Sequence, residues 1–177
     1  MFRPGHYGVA LALYAPVGGW LLAAGYPSAA VAGGAGVLWL TMLPDWDTRL
    51  PLVDHRGPTH TLPFVALVAG VAWLIVGTVA DATAPALGLA GAAAGPVSLR
   101  AFAAGVAALA VLAHLAADLL TPMGVAVLWP LSGRRYSLSV TTADSAVWNY
   151  ALFALGVFAT AAAAYLGAEL LAGAPAR

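Results

Sequence analysis

"TLPFVALVAGVAWLIVGTVA", residues 61–80, carries no charged side chain and is long enough to cross a bilayer as one helix. Immediately before it lies "LPDWDTRLPLVDHRGPTH", residues 43–60, which holds three aspartates, two arginines and two histidines. The contrast decides the fold class. Over the 177 residues, 62% are hydrophobic and 8% charged, with a mean hydropathy of +0.90. A soluble domain carries about 25% charged residues, so most of this chain is solvated by lipid.

Working outward, four more apolar stretches qualify or nearly qualify as spans: about Tyr7–Ala24, Ala29–Leu43, Ala101–Leu120 and Ala146–Ala168. The expected architecture is all-α, a single integral-membrane domain over 1–177 with about five transmembrane helices. In the short second stretch, "AVAGGAGV" (30–37) offers small residues that let helices approach closely in lipid. The piece "MGVAVLWPL" (123–131) is too short to cross and reads as re-entrant or interfacial. Arg3, an apolar run and "PSAA" imitate a signal peptide, but more membrane helices follow instead of a hydrophilic domain. The first stretch is therefore expected to stay as a helix of the bundle. Residues 81–99 are low-complexity Ala/Gly/Pro and read as a loop without chemistry.

Net charge is zero, which gives no basic field for nucleic acid, and the absence of cysteine excludes disulfides and thiolate chemistry. Five crossings put the N-terminus and the 44–60 and 121–145 connectors on one side. That side holds Arg3, Arg49, Arg56, Arg134 and Arg135, against Arg100 and Arg177 on the other, so it is expected to be cytoplasmic. The same topology gathers all four histidines, His6, His55, His60 and His114, on that side with Asp45, Asp47 and Asp118.

The spacing within each motif suggests chemistry. "HLAAD" (114–118) sets His114 and Asp118 at i and i+4, on one face of a helix. "PDWD" (44–47) alternates two carboxylates, which bind one cation together, bridge two, or simply face solvent. In "HRGPTH" (55–60), Pro58 is tolerated in a first helical turn and His60 projects from it, while Arg56 stays at the interface, where it meets lipid headgroups or clamps a phosphate or carboxylate. The layer thus offers His6, Asp45, Asp47, His60, His114 and Asp118 as metal ligands, with Arg56, His55 and Asp47 as catalytic candidates. Nitrogen and oxygen donors suit Zn or Mn foremost, and six of them exceed the three that one catalytic Zn needs and suit a two-metal site.

These motifs, His6, "LPDWD" (43–47), "HRGPTH" (55–60) and "HLAADLLTPMGVAVLWP" (114–130), resemble those of the YdjM-like inner-membrane proteins, described as membrane-bound metal-dependent hydrolases. The resemblance runs in order over roughly residues 1–140. It implies a multi-helix membrane protein with a metal site at the His and Asp positions just quoted, and it supplies no substrate. The expected function is a membrane-bound hydrolase acting on a phosphoester or lipid-linked substrate at the cytoplasmic leaflet through a metal-activated water. Membrane lipid is then the surrounding partner. A metal-ion transporter or sensor is the alternative; a structural protein whose polar layer locks helices is a third. H-E-x-x-H, G-x-S-x-G and a lysine-led lipid-phosphatase signature are all missing from the sequence.

Overall fold

The computed structural model describes residues 1–49, 54–87, 93–94 and 97–173. It contains five α-helices: α1 (Arg3–Ala23), α2 (Pro27–Thr41), α3 (Leu62–Leu87), α4 (Leu99–Leu119) and α5 (Ala146–Ala172). Four segments are long and apolar enough to cross a membrane: Pro27–Arg49, Leu62–Ala82, Leu99–Leu119 and Ala146–Ala172. The short α2 reaches spanning length because a 3-10 segment, Pro44–Arg49, follows it. α1 lies outside those four. It has 21 residues, but His6 and the internal Pro16 dilute its apolar character.

Close contacts fix where α1 sits. A Cβ on Gly8 would lie 2.3 Å from the Leu152 carbonyl, and one on Gly156 would lie 2.2 Å from the Gly8 oxygen. Further along, a Cβ on Gly167 would meet the Gly19 oxygen at 2.5 Å. Residue numbers therefore rise together on α1 and α5, so the two run parallel and α1 occupies the same depth as a helix of spanning length. Small residues permit this backbone-to-backbone approach, which in lipid takes the place of a hydrophobic driving force. Gly156→Val is expected to push the pair apart and to cost about 1–3 kcal/mol as overpacking. Gly70→Ala, where a Cβ meets nothing within 4 Å, should be nearly neutral in the same thermal unfolding in detergent.

α4 is the central element. Ala107, Ala110, Val111 and Ala113 are fully buried, packing against Ala10 and Tyr14 of α1 and Val37 of α2 on one side and Val65 of α3 on the other. The glycines of α2 are used as the sequence suggests: Gly33 abuts the Tyr14 hydroxyl and Gly36 abuts Val106. Tyr14 then donates its hydroxyl proton to the Ala30 carbonyl at 2.6 Å.

Two boundaries differ from the sequence expectation. α3 continues to Leu87 and α5 to Ala172; the added residues include strong helix formers, Ala82, Ala84 and Ala86 in the first and Glu169, Leu170, Leu171 and Ala172 in the second. The stretch expected as a loop over 81–99 is thus helical through Leu87. Ala93–Ala94 then pairs antiparallel with Val97–Ser98, and residues 88–92 and 95–96 lie outside the described residues. Asp81 and Arg100 form an ion pair at this end of the bundle.

The opposite end carries the connectors. Residues 120–145 are not helical. Val125 bridges Tyr136, and the Leu62 N–H donates to the Val127 carbonyl at 2.8 Å. The terminal carbonyls of α4 receive N–H groups from Leu138 (2.7 Å to Leu119) and Val140 (2.8 Å to Leu120). These bonds satisfy groups that a buried helix end would otherwise strand.

Candidate metal centre

The starts of α1, α3 and α5 and the ends of α2 and α4 meet at that connector end. α1 brings His6 there, the 3-10 segment after α2 brings Asp45 and Asp47, and a second 3-10 turn, Pro58–His60, brings His60 just ahead of α3. α4 brings His114 and Asp118, one turn apart. His6, His60, His114 and Asp118 are at most 1% exposed, whereas Asp45 is 24% exposed.

One ligand atom each from Asp45, His60, His114 and Asp118 lie within 4.8 Å of one another. His60 Nε2 and His114 Nε2 are 3.1 Å apart, and Asp45 Oδ1 lies 3.4 and 3.3 Å from them. Asp118 Oδ2 is 3.5 Å from both nitrogens. Four donors around a Zn-like ion, bound at 2.0–2.2 Å, are separated by about 3.3–3.6 Å along the edges of their tetrahedron. Four of these five separations, 3.3–3.5 Å, fall in that range, and the two histidine nitrogens at 3.1 Å stand slightly closer.

Protonation gives a second, independent indication. Thr59 donates its hydroxyl proton to Asp47 Oδ2 at 2.7 Å, so its oxygen, 2.9 Å from His60 Nδ1, is left to accept the Nδ1 proton. The proton of a neutral His60 is thereby fixed on Nδ1, and its Nε2 presents a lone pair to the cluster. Burial pushes the His60 imidazole below its ordinary pKa, against the pull of Asp45, which favours that neutral form. On α1, His6 Nδ1 donates to the Phe2 carbonyl at 3.2 Å, so its Nε2 also presents a lone pair, 3.4 Å from Asp118 Oδ1. Among the described residues, His6 Nε2, Asp118 Oδ2, Arg56 Nε and His114 Nδ1 are buried without a hydrogen-bond partner. An unmet buried polar atom costs about 1–3 kcal/mol. The unmet Asp118 Oδ2, one of the clustered donors, fits a divalent cation there.

The remaining candidates take distinct places. His6 stacks on His114, centroids 4.1 Å apart, beside the four-donor group and outside it. Asp47 belongs to a second group with His55 and His60. Its oxygens are engaged by His55 Nδ1 at 2.9 Å, the Arg56 N–H at 3.2 Å and the Thr59 hydroxyl. Asp47 therefore stands behind His60, orienting it through Thr59, the kind of support that sets ligand direction and basicity.

Arg56 differs from its expected interfacial position. It is 3% exposed, and Nη2 bonds Asp118 Oδ1 while Nη1 donates to the Thr121 hydroxyl at 3.1 Å. Its φ of 60° is a left-handed conformation that costs about 1–2 kcal/mol in a residue with a Cβ. The turn is held by the bond from its own N–H to Asp47. His55, with its side chain 44% exposed, remains near the surface.

Three residues that the motif reading passed over complete the arrangement: Thr59, Thr121 and Asn149. Asn149, fully buried, accepts the Phe2 N–H at 2.9 Å and donates to the Ala143 and Ser145 carbonyls, which ties the start of α1 to that of α5. An amide in the apolar sequence "AVWNYALF" (146–153) was the available signal.

The sequence matches the family described as YdjM inner membrane protein over residues 1–175. No curated protein sequence and no solved structure matches it.

Proposed function

We propose, from the premise that this chain belongs to the YdjM inner membrane protein family, that it is a metal-dependent hydrolase acting on a phosphoester or lipid-linked substrate at the cytoplasmic leaflet. The observation that carries this reading is the convergence of Asp45, His60, His114 and Asp118, with one ligand atom of each within 4.8 Å of the others and His60 presenting a lone pair. A divalent ion held there supplies Lewis acidity, polarising a substrate oxygen and lowering the pKa of water.

The chain's own residues divide the remaining work. His60, His114 and Asp118 would hold the ion from within the bundle, while Asp45 stands where solvent reaches the cluster. Arg56 balances the charge of Asp118 and fixes its rotamer. His55 donates Nδ1–H to Asp47, which leaves its Nε2 as the acceptor, and its ring lines the cavity beside Asp45. A histidine oriented by a carboxylate in this way is suited to take or return a proton during hydrolysis. Arg3, Arg49, Arg56, Arg134 and Arg135 belong to the site end of the chain, and Arg100 to the other; this asymmetry favours the cytoplasmic side for the site.

The test is elemental analysis of detergent-purified wild type, with hydrolysis of p-nitrophenyl phosphate as the activity probe. About one Zn or Mn per chain is expected, with activity lost on chelation and restored by the metal. Protein purified in metal-containing medium without a transition ion would overturn the reading. A second reading, a polar layer that only locks helices, draws on the buried Arg56–Asp118 pair. It predicts that site substitutions lower thermal stability with no bound ion to lose.

A further inference from the structure

A cavity of about 390 Å³ adjoins the cluster, lined among others by Phe2, Arg3, Asp45, Trp46, Arg49 and His55. Asp45 is the most exposed of the four clustered donors, so this cavity is the approach from solvent to the cluster. We propose that it is a binding site for the phosphate-monoester headgroup of a membrane lipid, with Arg3 and Arg49 as ligands of the phosphate. This rests on the hydrolase reading above and names what that site takes.

Charge is the first argument. Arg56 and Arg100 are committed to Asp118 and Asp81. Arg3 and Arg49 are exposed, have no ion-pair partner among the described residues, and both line this cavity. Guanidinium groups match phosphate oxygens in a two-pronged geometry. Arg3 also opens the 21-residue α1, whose first turn holds no acidic residue, so the helix start adds partial positive charge. Two arginines and a helix start set against the single carboxylate of Asp45 favour a dianion over a zwitterion.

Depth is the second argument. Phe2 and Trp46 are 47% and 54% exposed at the cavity mouth, the level at which aromatic side chains settle between headgroups and acyl chains. α5, which starts at the same end, presents Val147, Trp148 and Tyr150 outward. A lipid lying against the bundle there would bring its headgroup to the two arginines with its chains still in the bilayer. The phosphate would then face Asp45 and His55, on the side from which the cluster is reached.

The experiment uses metal-replete protein in phosphatidylcholine nanodiscs and follows Trp46 fluorescence, identified as the part lost in Trp46→Phe. Quenching by brominated phosphatidic acid is compared with quenching by brominated phosphatidylcholine, with inorganic phosphate as a soluble competitor. Saturable quenching by phosphatidic acid alone is expected. Arg3→Gln and Arg49→Gln should each weaken it about ten-fold with metal content unchanged. Equal quenching by both lipids, or by wild type and the double variant, overturns the proposal. Full displacement by inorganic phosphate at the lipid's own concentration overturns the lipid as the source. Arginine-dependent binding in a protein that carries no metal upholds the headgroup site and overturns the hydrolase reading, so the two fail separately.

Discussion

Asp118→Ala is expected to strip the bound metal from the purified protein and to lower its stability by about 3–5 kcal/mol. Two losses coincide at this carboxylate. Oδ2 lies 3.5 Å from both His60 Nε2 and His114 Nε2, as one of the four clustered donors. Oδ1 receives Nη2 of Arg56, which is 3% exposed and would keep only its bonds to Thr121 and Gly124. A buried guanidinium without its counter-charge is the costly case, because the desolvation already incurred is no longer offset. Membrane insertion should be unaffected, since α4 remains apolar from Leu99 to Leu119. Asp118→Asn separates the contributions: it keeps the shape and removes the charge. Elemental analysis and thermal unfolding in detergent measure both effects. Wild-type metal content in Asp118→Ala would remove Asp118 from the site.

Under the hydrolase proposal, His55→Ala should do the reverse, keeping the ion and losing the reaction. His55 lies outside the four-donor group, and its Nδ1 is held by Asp47 at 2.9 Å while its ring lines the cavity. Removing a positioned acid–base group slows hydrolysis by about 10²–10⁴-fold. The expected result is a fall of that size in turnover of p-nitrophenyl phosphate, with the metal still bound at wild-type stoichiometry. His55→Gln keeps a polar contact to Asp47 and should likewise keep the ion without restoring turnover. Full activity in His55→Ala would assign the proton transfer elsewhere.

Much of the architecture was legible because hydropathy is a local property. Each span needs its own apolar run, and "TLPFVALVAGVAWLIVGTVA" (61–80) announces one without reference to the rest of the chain. The gathering of the histidines was also legible, since alternate crossings place motifs 6, 43–60 and 114–118 at one end whatever the helix packing. The division of labour between Asp45 and Asp47 was not. Both sit in the 3-10 segment Pro44–Arg49, where three residues make a turn and positions two apart point about 240° around the axis from each other. Asp45 thus joins the cluster while Asp47 turns back to His55, Arg56 and Thr59. A D-x-D pattern alone does not tell which carboxylate joins the cluster.

Arg56 shows the same limit from another direction. Next to a glycine and a proline at a membrane boundary, an arginine reads as a headgroup contact. Its left-handed backbone, pinned by Asp47, accompanies a guanidinium turned inward to Asp118, 62 positions away. By itself the sequence determined the solvent of the chain, the number of helices and the end at which its ionisable groups collect, because these follow from composition along a line. Only the tertiary structure decided which donors meet, which arginines are committed and which stay free, and that α1 packs directly against α5. Those outcomes depend on side-chain directions and on contacts such as Gly8 with Gly156, between residues that no local pattern relates.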